Sequence, residues 1–311
     1  MIGFSWNLLA DTRQLLSYHF MLNALRAGTI VAIVAGLIGY FMVLRRQSFA
    51  GHTLAVVGFP GAAGATWLGI NPAIGFFGFC IAAALAIAAL PSGRSASGVG
   101  GYGDESAVIG TLQAFALACG FLFVSLYGGF LSGLNNLLFG SITGVSDSQV
   151  LILLGAGALS LLILAVIGRR LLFITVDPQV ASARGVRVGT ISAAFLLLLG
   201  IAAAGTSQVT GSLLVFALLV APAATAVKLT ARPGLAALLS VLLAVAVTWA
   251  GEAAAFYSPY PIGFWVSTFA FALFLAATAY RAAADRLGRR ATAFASAAVA
   301  PAAAQAPRVA P

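Results

Sequence analysis

Between residues 21 and 280 the chain repeats one pattern nine times: a stretch of roughly twenty residues nearly free of charge, closed by a turn or a short run of bases. The stretches are 21–44, 53–69, 72–90, 106–127, 149–168, 189–205, 209–227, 234–256 and 262–280. About twenty apolar residues is what an α-helix needs to cross a bilayer. In hydrocarbon the backbone must satisfy its own hydrogen bonds, so such stretches are helices. With 61% hydrophobic and 7% charged residues and a mean hydropathy of +1.06, there is too little polar surface to clothe a soluble globule of 311 residues. The expected fold is an all-α polytopic membrane protein of about nine transmembrane helices, with one short helix outside them.

The bases test that count. The net charge of +9 would suggest a nucleic-acid partner in a soluble protein, but here the bases lie in short runs between apolar spans. Positive residues in membrane proteins accumulate on the cytoplasmic side, so these runs need no acidic ligand. With Arg45 and Arg46 inside, nine crossings bring every base except Arg13 and Arg26 to the same side. The N-terminus is then outside and the C-terminus cytoplasmic. Residues 1–20 read as an interfacial segment, without the basic head and cleavage site of a signal peptide. Residues 21–280 form the membrane domain, and 281–311 a cytoplasmic Ala/Pro-rich tail expected to be disordered. Residues 128–148 contain no Lys or Arg, and are read as an outer loop or a re-entrant segment.

One inter-span stretch carries its own punctuation. Residues 169–188 read RRLLFITVDPQVASARGVRV and hold four of the sixteen bases. Asp177 is suited to cap a helix N-terminus, Pro178 to the first helical position where no donor is needed, and Gly185 to a stop. Loops between spans are usually a few residues long. About twenty residues with a capped helix therefore point to contact with something outside the bilayer.

Residues that could carry covalent chemistry are few. The single lysine, Lys228, lies in AVKLTARPG, not in the Gly-rich turn that cradles phosphate. The Gly-rich run 97–103 has no strand before it and no lysine after it, and reads as a loop. Two histidines at unrelated positions, His19 and His52, cannot build a zincin or triad metal centre. No serine motif has a histidine base in reach. Cys80 and Cys119 lie in apolar spans and read as packing residues. Three positions remain for a path through the membrane. Glu252 is an ionisable group in a span, which lines an outer vestibule or reaches the interface. His52 stands at the cytoplasmic start of the second span. Pro222 removes a backbone hydrogen bond in mid-span and kinks or interrupts it.

Four stretches in order resemble the membrane subunit of zinc/manganese/iron-type ABC importers. They are LRRQSFAGHTLAV with Pro60-Gly61 (44–61), DESAVIG (104–110), TVDPQVASARG (175–185) and VTGSLLVFALLVAPAATA (209–226). The resemblance covers residues 21–280. It implies a homodimer of permeases in a bacterial inner membrane, an ABC ATPase subunit on the cytoplasmic side and a periplasmic metal-binding protein that delivers cargo. This chain would be a transport subunit and no enzyme, with no cofactor of its own, ATP bound on the partner and a divalent metal ion as cargo. Asp177, Pro178, Ala181, Arg184 and Gly185 would belong to the coupling helix seated in the ATPase. His52, Val56, Pro222 and Glu252 would mark the translocation path, with His52 the metal ligand. One departure bears on cargo. The family's pattern after the basic pair has an aspartate and, four residues on, a histidine, one helical turn apart and able to share a cation. Here those positions are His52 and Val56. An imidazole suits zinc better than manganese, which favours oxygen ligands. The expected cargo order is zinc, then manganese or iron; a metal chelate or small organic solute, or a secondary transporter, is the alternative.

Overall fold

The computed structural model describes residues 8–89, 101–127, 145–211 and 215–303. Among them are eleven helices and no strand: α1 (Leu8–Leu16), α2 (His19–Leu44), α3 (Ser48–Trp67), α4 (Pro72–Ala89), α5 (Gly101–Leu126), α6 (Asp147–Val176), α7 (Pro178–Ala183), α8 (Val188–Thr210), α9 (Val215–Leu229), α10 (Pro233–Tyr257) and α11 (Ile262–Ala303). Seven of these, α2, α4, α5, α6, α8, α10 and α11, are long and apolar enough to cross a membrane. The 20 residues of α3, enclosed by the bundle over most of their length, and the 15-residue apolar α9 bring the number to nine. The all-α membrane architecture expected from the apolar repetition is the one found.

Four boundaries differ from the sequence reading. First, α3 begins at Ser48, so His52 lies a turn inside the helix instead of opening a span at 53. Second, α6 runs on to Val176 through Arg169 and Arg170, whose exposed side chains let the helix continue past the apolar run. The expected twenty-residue loop shrinks to residues 177–187. Third, α8 extends to Thr210 and stops at Gly211, whose φ of +81° ends helical geometry, so the seventh span starts at Val215 instead of 209. Fourth, the last helix continues to Ala303, beyond Arg290 where a disordered tail was expected. Alanine is the best helix former, and that segment is rich in it. The segment 91–100 and residues 128–144 of the candidate re-entrant loop lie outside the described residues.

The bundle is built around α2, which packs on α10, α9, α6 and α8. A second group, α3 with α4 and α5, joins it mainly through α8, which packs on α2, α3, α4 and α6. Lipid offers no hydrophobic drive between helices, so close approach of backbones supplies the packing. At Gly36 a Cβ would sit 2.8 Å from the Val241 backbone, and Ser240 Oγ donates to the Gly36 carbonyl at 2.7 Å. Ile38, Met42, Leu54, Phe195, Leu198 and Leu219 are buried at the centre. Phe115, Phe121, Leu151, Leu162, Val166 and Phe271 project outward, as a lipid-facing surface requires.

Candidate functional site

The coupling segment is built by local chemistry at both ends. Asp177 ends α6 in extended geometry and caps α7: its Oδ1 accepts from the Gln179 amide at 3.0 Å and the Val180 amide at 2.9 Å. Pro178 fills the first helical position. At the other end Gly185 adopts φ +78°, its amide donates to the Ser182 carbonyl at 2.9 Å, and the Val186 amide donates to the Ala181 carbonyl at 3.1 Å. Those two bonds form a Schellman stop, which favours glycine because an L side chain is strained at positive φ. Ala181 is fully buried against the bundle, while Pro178, Val180, Arg184 and Gly185 are exposed. The helix is thus anchored by one small residue and presents its remaining face outward, with Val176, 79% exposed, beside it.

At the same end of the bundle, Arg45 and Arg46 form the turn between α2 and α3. Arg46 adopts φ +57°. Arg45 folds inward: Nε donates to Gln47 Oε1 at 3.1 Å, Nη2 donates to Ser192 Oγ at 2.9 Å, and the guanidinium stands 5.5 Å over the Phe195 ring. Burial draws this guanidinium down from its ordinary value. It ties the α2–α3 turn to α8, the helix that follows the coupling segment. Its contacts here are structural, whereas in the sequence it served as a topology signal and as part of the first resemblance stretch.

On α3, His52 is half-buried. Its ring meets Phe216 of α9 edge-on with centroids 5.0 Å apart, and its Nδ1 is enclosed without a hydrogen-bond partner. Val56, one turn further, is buried and contributes no ligand atom from its side chain. The adjacent Thr53 donates to Gln113 Oε1 on α5 at 2.9 Å. Pro222 lies on α9, about 9 Å further along the axis from Phe216 at 1.5 Å per residue. It sits inside an uninterrupted helix, so it costs one backbone bond without breaking the element. His52 and Pro222 therefore lie on neighbouring, packed helices.

Glu252 stands elsewhere. It is fully buried on α10, both carboxylate oxygens lack a partner, and a Cβ at Gly28 of α2 would overlap its Oε1. Thr248, one turn earlier, is also fully buried with its hydroxyl unpartnered. In this conformation Glu252 is enclosed between α2 and α10 and lines no open vestibule. The packing partners of α10 are α2, α9 and α11, whereas α3 packs chiefly on α4, α5 and α8. The structure does not bring Glu252 and His52 together. Among the described residues no group of three or more His, Cys, Asp or Glu could hold a resident metal.

The pattern of the ABC 3 transport family matches residues 17–281, from the end of α1 through the last membrane crossing. The chain belongs to the ABC 3 transport family. Among its relatives, the manganese transport system membrane protein MntC of Halalkalibacterium halodurans is 34% identical over 237 residues, 75% of this chain and 79% of that protein. The chelated iron transport system membrane protein YfeC of Yersinia pestis is 30% identical over 244 residues, 78% of this chain and 80% of that one. Among solved structures, PsaBC from Streptococcus pneumoniae in complex with Fab superposes with a TM-score of 0.76 at 27% identity, over 87% of this chain and 95% of that one. An inward-facing putative metal-chelate type ABC transporter gives a TM-score of 0.64 at 18% identity, which is a likeness of fold. Within that family, the relatives named here are membrane proteins of metal transport systems, transport components by their names. Three residues near the site escaped the sequence reading: Phe216, Gln113 and Gly28. Each acquires its role through a partner on another helix, and the one local signal was Thr53, a polar residue beside His52 in an apolar run.

Proposed function

We propose that this permease is the membrane half of an ATP-driven importer that carries a divalent transition-metal ion inward by alternating access, as one of two copies around a shared path. ATP is hydrolysed on a separate subunit, and a binding protein on the far side delivers the ion. The observation behind this reading is the family match running through all nine crossings, with a helix capped at both ends exposed between α6 and α8. Closure of the ATPase pair would press on the outward face of α7. Because α7 packs on both α6 and α8, the push passes into two membrane helices at once. Pro178, Val180 and Arg184 supply the docking face, Ala181 the anchor, and Asp177 and Gly185 the shape.

The ion is read as passing His52, whose imidazole is the one candidate ligand among the described residues of α3. Manganese is placed first among cargoes, because the relatives include manganese transport proteins. This reverses the order expected from the imidazole alone, which put zinc ahead. Zinc stays second on ligand chemistry, since imidazole suits it and manganese prefers oxygen. A metal chelate is a third reading, supported by the chelated-iron relative and by the apolar Val56 where a second ligand would stand.

Uptake in proteoliposomes tests the scheme, with the chain reconstituted beside a candidate ABC ATPase and binding protein from the same organism. Radiolabelled manganese and zinc are offered with ATP on the coupling-helix side. ATP-dependent manganese uptake, lowered by about tenfold or more in His52→Ala, is the expected result. Hydrolysis stimulated by the binding protein with neither ion entering would move the cargo to a chelate. Gradient-driven uptake by the chain alone would overturn the ATP-driven reading altogether.

A further inference from the structure

At the end of the bundle opposite α7, an apolar groove of about 790 Å³ opens between α1, α2 and α10. Its walls include Leu15, Leu16, Leu22, Leu25 and Ile30, closed on the α10 side by Trp249. One charge stands among them. Arg26, exposed on α2 in the second turn of a membrane-spanning helix, lines the groove and forms no ion pair among the described residues. Its field reaches Asp147, but that carboxylate is already held by Asn23 at 2.8 Å and His19 at 3.3 Å. A cation in the membrane is costly unless an anion or water meets it.

Depth in the bilayer is marked by Trp249. It is half exposed, and its indole Nε1 donates to Thr29 Oγ1 at 2.8 Å, three residues along α2 from Arg26. Tryptophans in this setting sit at the headgroup level. The guanidinium therefore stands where lipid phosphates lie, with an apolar trough running beside it. A guanidinium pairs with a phosphate through two parallel hydrogen bonds, and the trough takes a hydrocarbon chain. We propose that this groove binds one anionic phospholipid, its headgroup on Arg26 and an acyl chain between α1, α2 and α10. The lipid would brace the α2–α10 seam and hold α1 against the bundle, away from the α3 path and from the coupling face.

Native mass spectrometry of the purified full chain, after exchange into phosphatidylglycerol or phosphatidylcholine of matched chains, reads the site directly. The expected result is one phosphatidylglycerol retained per chain through delipidation, with phosphatidylcholine retained at least fivefold less. Arg26→Gln should abolish that preference, whereas Arg13→Gln on exposed α1 should keep it. Ala250→Trp, which fills the trough without touching the charge, should lower retention of both lipids. Thermal unfolding followed in the same two lipids should show a larger rise with phosphatidylglycerol in the wild type and an equal rise in Arg26→Gln. Equal retention of the two lipids, or an unchanged preference in Arg26→Gln, would overturn the proposal. So would a disulfide formed between two copies through Ala250→Cys, since the groove would then be occupied by a second chain.

Discussion

At the scale of single residues, Glu252 is the most informative side chain in the permease. A carboxylate wholly buried without a partner makes no hydrogen bond that an amide would lose. Glu252→Gln, nearly the same size and shape, is therefore expected to leave the thermal midpoint in detergent unchanged. A marked drop would mean that the carboxylate has a partner in the assembled transporter. Gly28 gives the complementary test. An added Cβ overlaps the carboxylate, so Gly28→Ala is expected to cost about 1–3 kcal/mol as overpacking. The overlap falls on the flexible end of Glu252, so Gly28→Ala should cost less in a Glu252→Ala background. A double-mutant cycle by denaturant or thermal unfolding reads that coupling. The sequence already marks Glu252 as an intramembrane ionisable group. Its enclosure against Gly28 could not be read there, because it depends on how α2 pairs with α10, helices far apart in the chain.

At the scale of elements, α7 shows what local chemistry makes legible. Asp177, Pro178 and Gly185 each act on backbone within four residues, and each does what its residue type foretold. The ends of α6 and α11 were misread for the opposite reason. Arg169 and Arg170 interrupt the apolar run, and an apolar-run criterion stops there, yet long basic side chains reach water without breaking the helix. Two substitutions separate shape from contact in α7. Asp177→Ala removes both capping bonds and should weaken the local helix by about 1 kcal/mol. Gly185→Val forces a β-branched residue to φ +78°, at a cost of about 1–3 kcal/mol, and should disturb the stop. Both chains should still insert. In proteoliposomes Gly185→Val should keep ATP hydrolysis while transport falls, and unchanged transport would count against α7 as the coupling element.

At the scale of the whole molecule, the nine crossings fix which surfaces can share a compartment. Among the described helices five of them, α2 to α6, lie between Ser17 and Ser182, and an odd number of crossings would put the two on opposite sides of the membrane. We propose that the turn at Arg45 and Arg46, the coupling segment and Lys228 share the cytoplasmic side, on the bias of basic residues. Lys228 is fixed there by donation to Thr278 Oγ1 at 3.0 Å and by the Phe274 ring 4.7 Å away. The arrangement makes a labelling prediction. Ser17 and Ser182 are both exposed; Cys80 is buried and Cys119 partly so, hence a Cys119→Ala background leaves a quiet chain. In intact cells opened only at the outer membrane, a membrane-impermeant maleimide should label Ser17→Cys at once. Ser182→Cys should stay unlabelled until the inner membrane is permeabilised, and should be protected again when the ATPase is bound to α7. Labelling of both positions from one side would require an even number of crossings before Ser182, and the path at His52 would then have to be redrawn. Labelling in the reverse order would keep nine crossings but invert the protein, placing α7 beyond the reach of a cytoplasmic ATPase. Protection of Ser182→Cys by the ATPase is the decisive step, because crossing number and charge bias set only the side, whereas protection requires that the exposed face of α7 be the docking face.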